Sequence, residues 1–279
     1  MKWLYRARKA GHTGSLDPLA TGMLPLCFGQ GTKVSAYLLD ADKTYRVTAQ
    51  LGSQTDTGDA DGTVVAESKL KAVERKALEQ ALDRLTGDIM QVPPMYSALK
   101  KDGKRLYELA RQGIEVERPA RPVTIRSLEI ESFDPEAPVL RVECSKGTYI
   151  RTLVEDLAAI MGTLGHVIVL RRISVEPFSR HQLVTMEQVE AAAEAGNEAL
   201  QELLIPIDSA LITFPAVNMN QEQSGYVRQG NPVQVAVPPP AGFCRIYDAQ
   251  ARFVGVGEAL RDGRIAPKRL FIEPETATG

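Results

Sequence analysis

Apolar residues along this chain recur with period two in some stretches and at helical spacing in others, so both strands and helices are expected. Residues 43–51 alternate and predict a strand with Tyr45 and Leu51 on the same face. Residues 70–86 carry apolar side chains at helical spacing, and Gly87 predicts the end of that helix. Further strands are predicted at 123–133, 139–144 and 166–175, and further helices at 104–112, 148–161 and 185–195.

The two ends of the chain depart from this pattern. The Trp3-Leu4-Tyr5 cluster, set among basic residues, predicts a helix that ends before Gly11. Beyond Pro206 proline and glycine become dense, which is typical of a small β-barrel or sandwich. Its short strands are predicted at 233–237, 243–248, 252–258 and 268–273. We therefore predict one domain over residues 1–209 and a small β domain over residues 210–279.

Composition narrows the class of protein. Of the 279 residues, 44% are hydrophobic and 24% charged, as in soluble globular proteins. The three cysteines and three histidines are scattered, and no apolar run suits a membrane span or a signal peptide. We expect a cytoplasmic protein without a disulfide framework, a metal site or membrane contact. The net charge is −2, but residues 1–121 are net positive, so the overall charge does not exclude a local phosphate-binding face.

The most informative segment is residues 11–25, GHTGSLDPLATGMLP. Its glycines permit positive φ angles and close approach of another molecule, and Pro18 biases Asp17 towards an extended backbone. A carboxylate presented in this way suits a nucleophile or a general base. The alternative is that Asp17 is a turn residue that hydrogen-bonds its own backbone, and that His12 is an ordinary surface or core histidine.

This segment resembles, almost letter for letter, the catalytic motif of the TruB family of tRNA pseudouridine-55 synthases. The resemblance implies that Asp17 is the nucleophile in the isomerisation of uridine to pseudouridine in the T loop of tRNA. The uridine would be flipped out, with His12 holding the distorted loop open, and no cofactor or metal would be required. The implied fold is α+β, with a mixed, mainly antiparallel sheet, flanking helices and a PUA-like β domain. The sequence is equally compatible with a C-terminal β domain that only stabilises the first domain.

A second motif of the same family surrounds Tyr45, in the sequence DKTYR at 42–46. A tyrosine that opens a strand is commonly a core or rim aromatic. The resemblance instead implies that Tyr45 stacks on the target uracil and takes part in removing the C5 proton. It further implies that Tyr149 and Leu170 line the uracil site.

A third motif, SKGTYIR at 145–151, places Arg151 in the first turn of a predicted helix. The helix dipole disfavours a cation there, so a nearby anion is expected. The resemblance implies a salt bridge to Asp17, which would lower the pKa of that carboxyl group. Glu155, four residues further along the helix, is the alternative partner.

An acidic loop at 52–62, GSQTDTGDADG, suggests calcium binding at first sight. Thr57 stands at the first-ligand position of an EF-hand and Ser68 at the bidentate glutamate position, so that prediction fails. The family carries the same acidic loop without a metal. We expect Asp59 either to orient the pocket or to stabilise the turn.

Residues 93–121 interleave basic side chains with tyrosine and methionine ahead of a short helix, a pattern that favours RNA binding. The candidates are Lys100, Lys104 and Arg105. The resemblance implies a mobile thumb that closes on the T arm of tRNA, whereas a solvated charged face is the alternative.

The resemblance also implies a preceding strand with a DKPxGxTS motif, to which nothing in this sequence corresponds. We expect a misassigned start codon or a truncated gene product. One alternative function is an impaired tRNA-binding or tRNA-folding chaperone. Another alternative function is that of an aspartate-nucleophile hydrolase, which would require a metal-binding acidic cluster. No protein partner is implied, and a monomer is expected.

Overall fold

The computed structural model describes residues 1–178 and 183–271. The strands are β1 (Ala10–His12), β2 (Thr21–Gly22), β3 (Leu26–Phe28), β4 (Lys43–Leu51), β5 (Ser53–Thr55), β6 (Val64–Glu67), β7 (Gly87–Gln91), β8 (Lys100–Lys101), β9 (Lys104–Arg105), β10 (Arg121–Ser132), β11 (Val139–Cys144), β12 (Gly165–Val175), β13 (Ala216–Asn218), β14 (Val233–Gln234), β15 (Gly242–Tyr247), β16 (Phe253–Ala259) and β17 (Arg264–Leu270). The helices are α1 (Ser35–Leu39), α2 (Arg75–Leu85), α3 (Leu106–Ala110), α4 (Ile150–Ile160), α5 (Met186–Ala195), α6 (Asn197–Glu202) and α7 (Gln221–Arg228). In this part of the chain no helix has the length and apolar character that crossing a bilayer requires.

These elements form two compact units. The sheet unit comprises Thr13–Pro25 and the described part of Leu39–Leu183. The terminal unit comprises Met1–His12, Leu26–Leu38 and the described part of Val184–Gly279.

The sheet unit is built on six strands in the order β2-β12-β4-β11-β10-β7. Neighbouring strands are antiparallel except β2 and β12, which run parallel. Helices α2 and α4 share one hydrophobic core with the sheet. Residues 47, 49 and 51 of β4 are buried in that core and Tyr45 packs against it, as the alternating pattern predicted. The implied α+β fold with a mixed, mainly antiparallel sheet is confirmed.

Helix α2 begins later than its hydrophobic pattern predicted, at Arg75 instead of residue 70. Val73 is buried, but its N–H donates to the carbonyl of Pro135 (2.9 Å), and the following residue, Glu74, is extended. A tertiary hydrogen bond therefore overrides the local periodicity. Gly87 has a φ of +99° and opens β7 directly after the helix.

The terminal unit contains a five-stranded sheet in the order β13-β15-β16-β17-β14 and a separate pair, β1 with β3. The predicted short strands are present with shifted bounds: β14 ends at Gln234, and β17 begins at Arg264. Positions 272–273 of the last predicted strand lie outside the described residues. Helix α7 went unpredicted, although its capping box, in which Asn220 and Gln223 each bond the other's backbone N–H, is a legible signal.

The helix predicted around Trp3 is wrong, because residues 2–6 form turns. Arg6 has a φ of +47°, which an α-helix does not accommodate, and its N–H donates to the carbonyl of Trp3 (3.0 Å).

The parallel pair at the sheet edge requires a glycine at position 22. Gly22 has a φ of +102°, and a Cβ there would lie 2.2 Å from the backbone oxygen of Arg172. Gly14 has a similar φ of +93° but has nothing within 4 Å of the corresponding position.

We expect Gly22→Ala to lower the free energy of unfolding by about 3 kcal/mol, whereas Gly14→Ala adds only backbone strain of about 1 kcal/mol. Denaturant unfolding followed by circular dichroism measures both. Equal losses would mean that the close approach of β2 to β12 is not what requires Gly22.

Candidate active site

Asp17 lies in the loop that leads into β2. Its backbone carbonyl accepts a hydrogen bond from the N–H of Ala20 (2.9 Å), so the turn leaves the carboxylate free for other partners. Asp17 Oδ2 lies 2.9 Å from Arg151 Nε, and the Asp17 side chain is 38% exposed. The expected ion pair is present. Glu155, the alternative partner, instead accepts from Gln54 Nε2 (3.5 Å).

Arg151 is the second residue of α4, and its side chain is only 5% exposed. Its two terminal nitrogens donate to the carbonyl oxygens of Thr57 and Tyr96, each at 2.8 Å. One of these nitrogens also lies 3.6 Å from Asp59 Oδ2. Two carboxylates and two carbonyls thus offset the unfavourable position of a buried cation in the first turn of a helix.

Asp59 stabilises the turn of the acidic loop, which is one of the two roles expected of it. Its Oδ1 accepts from the hydroxyl of Thr57 (2.6 Å) and from the N–H of Asp61 (3.2 Å), which stabilises the turn. Its other oxygen faces Arg151. No group of three or more histidine, cysteine or carboxylate side chains suited to a metal ion occurs within residues 1–178 and 183–271.

The pKa of Asp17 is raised above its ordinary value. Loss of hydration on burial is the largest cause, and the negative charge of Asp59 adds to it. The positive charges of Arg151 and Arg172 act in the opposite direction without reversing the shift. The ion pair with Arg151 lowers the pKa of Asp17 as expected, but burial, which the expectation left out, outweighs it and the net shift is upward.

Tyr45 lies in β4 between two strands, opposite Val142 on one side and Arg172 on the other. Burial raises the pKa of its hydroxyl, and the guanidinium of Arg172 lowers it. The charge of Asp17 also acts on Tyr45. Tyr45 is thus both a rim aromatic of the core and a neighbour of the charged groups.

Tyr149 and Leu170, predicted to line the uracil site, occupy different environments. Tyr149 immediately precedes α4, and both its backbone N–H (2.7 Å) and its carbonyl (3.1 Å) bond the buried side-chain amide of Gln91. Burial raises the pKa of the Tyr149 hydroxyl, and the charge of Asp17 also acts on it. Leu170 is a buried core residue of β12, paired with Val47.

His12 lies in the terminal unit, not in the sheet unit that holds Asp17. It ends β1, where it pairs with Leu26, and it is exposed.

Sequence reasoning missed Arg172. This residue of β12 is 2% exposed, and its guanidinium donates to the carbonyl oxygens of Met23 (2.7 Å), Ser15 (3.3 Å) and Gly14 (3.3 Å). The signal was available, because Arg172 shares its strand face with Leu170 and so places a cation at a position where the alternation predicts an apolar residue.

The basic residues predicted to bind RNA lie on a small hairpin. Strands β8 and β9 pair Lys100 with Arg105 and Lys101 with Lys104. The turn is Asp102-Gly103, with φ angles of +50° and +81°, and all four basic residues are exposed. Asp-Gly is a strong hairpin signal in the sequence, although no hairpin was predicted here.

Most of the chain matches models of one protein family. The model for the TruB family pseudouridylate synthase N-terminal domain matches residues 2–150. The tRNA pseudouridylate synthase B C-terminal domain matches residues 151–212, and the pseudouridine synthase II TruB C-terminal model matches residues 215–271.

Relatives and solved structures agree with these matches. The tRNA pseudouridine synthase B of Pseudomonas aeruginosa (strain UCBPP-PA14) is 54% identical, covering 97% of this chain and 89% of the relative. That of Serratia proteamaculans (strain 568) is 50% identical, covering 98% and 89%. A Cbf5-Nop10-Gar1 complex matches with a TM-score of 0.74 at 22% identity, covering 97% of this chain and 79% of that one. An archaeal box H/ACA Nop10-Cbf5 complex matches at 0.72 and 19%, covering 98% and 80%. These two structures support the fold alone.

The fold and the paired Asp17 and Arg151 fit a pseudouridine synthase, an isomerase. The chain belongs to the TruB family of pseudouridylate synthases.

The raised pKa of Asp17 predicts that pseudouridine formation declines as the pH falls and the carboxylate takes up a proton. Asp59→Asn removes one of the charges that raise this pKa, so we expect the acidic limb of the pH profile to move to lower pH. Single-turnover rates measured at a series of acidic pH values give the position of the acidic limb of the pH profile. Asp61→Asn, in the same loop but exposed, is the matched control and keeps the wild-type limb. An unmoved limb in Asp59→Asn would contradict the coupling.

Proposed function

We propose that this chain converts uridine to pseudouridine at position 55 in the T loop of tRNA, with Asp17 as the nucleophile. The observation that carries the proposal is the ion pair between Asp17 and Arg151 in a site where the charge of Asp17 also reaches Tyr45 and Tyr149. The relatives named tRNA pseudouridine synthase B cover nearly the whole chain and support tRNA as the substrate.

The reaction is an isomerisation, so it requires neither an oxidant nor a reductant. The target uridine leaves the stack, because its reacting atoms are out of reach inside the loop. Asp17 forms a bond to the sugar or to the base, and the bond between N1 and C1′ breaks. The uracil then rotates, its C5 bonds to C1′, and the bond to Asp17 breaks, which returns the free carboxylate. Tyr45 or a water molecule takes the proton from C5, and N1 of the product carries a proton.

Each remaining site residue has a role in this proposal. Arg151 fixes the direction of the Asp17 carboxylate, Tyr45 stacks on the uracil, and Tyr149 and Leu170 line its pocket. Arg151 suits its role because its hydrogen bonds to two backbone carbonyls hold the guanidinium in one orientation. His12 holds the distorted loop open.

RNA binding falls to the basic hairpin formed by Lys100, Lys101, Lys104 and Arg105, within a thumb over residues 93–121. Like charges placed directly opposite each other on a two-stranded hairpin repel, and a phosphate backbone relieves that repulsion. Residues 210–279 act as a PUA-like domain that adds RNA contacts to those of residues 1–209. We place the activity in the cytoplasm, in a monomer.

The direct test is release of tritium from tRNA that carries [5-³H]uridine, because the C5 hydrogen is lost only when the new bond forms. Wild type releases tritium, and Asp17→Asn, which keeps the shape but not the nucleophile, loses at least about 10³-fold in rate. Asp61→Asn is the control. Equal release by Asp17→Asn would refute the nucleophile. No release by wild type with tRNA binding intact would favour the tRNA-folding chaperone.

Replacement of Lys100, Lys104 and Arg105 by alanine together is expected to weaken tRNA binding and flatten its salt dependence. Each lost phosphate contact lowers the slope of log K against log salt by roughly 0.7 to 0.9. Filter binding over a salt series measures the slope. Alanine at Lys69, Lys76 and Arg84, which are also exposed but lie outside the hairpin, is the matched control. Identical slopes for the two triple variants would contradict a role for the hairpin.

A further inference from the structure

The side chain of Arg172 is a permanent positive charge buried inside the sheet unit. It is 2% exposed, and among the described residues no carboxylate oxygen lies within 4 Å of its guanidinium. A buried cation without an acidic partner is costly unless hydrogen bonds replace its hydration. Here those hydrogen bonds come from backbone carbonyls, which can be bound only if the chain that carries them is held in place.

The three carbonyls belong to the loop that carries Asp17, and they flank it on both sides. Gly14 and Ser15 precede Asp17, and Met23 follows it. The backbone of Arg172 joins the same loop, since its carbonyl accepts from the N–H of Met23 (2.8 Å). The loop is therefore fixed before and after its carboxylate by a single residue.

Arg172 also stands beside Tyr45. The two residues are directly paired across β12 and β4, so their side chains project from the same face of the sheet as close neighbours. An arginine has five N–H donors, and the three carbonyls use three of them. The remaining donors are available to the Tyr45 hydroxyl.

We propose that Arg172 is a positioning residue for the isomerisation, one that holds the Asp17 loop against Tyr45 and keeps a fixed positive charge between the two. This inference rests on the proposed role of Asp17 as the nucleophile. Arg172 acts through Asp17 and Tyr45 and does not itself touch the reacting atoms. It thus complements Arg151, which contacts the carboxylate directly.

The charges around the two groups support this role. The charges of Arg151 and Arg172 lower the pKa of Asp17, and the charge of Asp59 raises it.

Burial raises the pKa of the Tyr45 hydroxyl, and Arg172 makes the largest contribution that lowers it. The neighbouring Cys144 and Asp17 raise this pKa. Lys43, the other cation nearby, has its own pKa lowered by burial first and by Arg172 second. Loss of the guanidinium therefore raises the pKa of both Asp17 and Tyr45.

Arg172→Met removes the charge, and Arg172→Lys keeps a charge but not the fork that binds three carbonyls. For Arg172→Met we expect a single-turnover rate about 100-fold below wild type, with little change in KM and a raised Asp17 pKa. For Arg172→Lys we expect a rate about tenfold lower, with the Asp17 pKa close to wild type. Carboxyl ¹³C NMR of the free enzyme, with the Asp17 signal assigned by its absence in Asp17→Asn, gives the pKa without RNA.

Arg171→Met is the matched control, since it makes the same change one residue earlier, at an exposed position. It should retain wild-type rate and pKa. Rates are expressed per folded molecule, so loss of stability alone does not count as support. If Arg172→Met does not fold, Arg172→Lys decides.

Unchanged rates per folded molecule and an unchanged Asp17 pKa would overturn the proposal and leave Arg172 a purely structural residue. An inactive wild type would instead overturn the proposed function. In that case the Asp17 pKa in the Arg172 variants still tests the placement of the charge.

Discussion

The buried guanidinium of Arg151 is the constraint on which the rest of the site depends. It joins three separate parts of the sheet unit, namely the Asp17 loop, the acidic loop through Thr57 and Asp59, and the segment before the hairpin through Tyr96. A lysine in its place would present one compact charge and could not satisfy these directions together. Because the planar group is fixed by backbone carbonyls, the carboxylate that meets it is fixed as well.

The site balances two opposing effects on one carboxylate. Burial favours the neutral acid, and two arginines favour the anion, with burial prevailing at Asp17. A weakly hydrated anion is a better nucleophile than a fully hydrated one, so some destabilisation of the charged form serves the chemistry. The neighbouring Asp59 pushes in the same direction as burial while it helps to hold Arg151 in place. Orientation and reactivity thus come from the same few groups.

Local patterns in the sequence were enough to predict most strands of the sheet, the end of α4 (predicted at residue 161 and found at Ile160) and the need of Arg151 for an anion. They were insufficient wherever a distant partner decides the structure. The start of α2 depends on the hydrogen bond from Val73 to Pro135, which no local pattern contains. The raised pKa of Asp17 depends on burial by remote segments. The alternation of β12 marks Arg172 as unusual, but its partners cannot be predicted from the sequence because they are carbonyl groups, which every residue type possesses.

The use of main-chain carbonyls as hydrogen-bond partners affects which positions can be substituted during evolution. Arg151 and Arg172 hold their loops chiefly through main-chain oxygens at Thr57, Tyr96, Gly14, Ser15 and Met23. Side chains at such positions can be exchanged without losing those bonds, provided that the backbone angles are kept. The two arginines have no such latitude. Mutational tolerance in this enzyme should therefore be distributed unevenly, with permissive loop positions around two nearly irreplaceable cations.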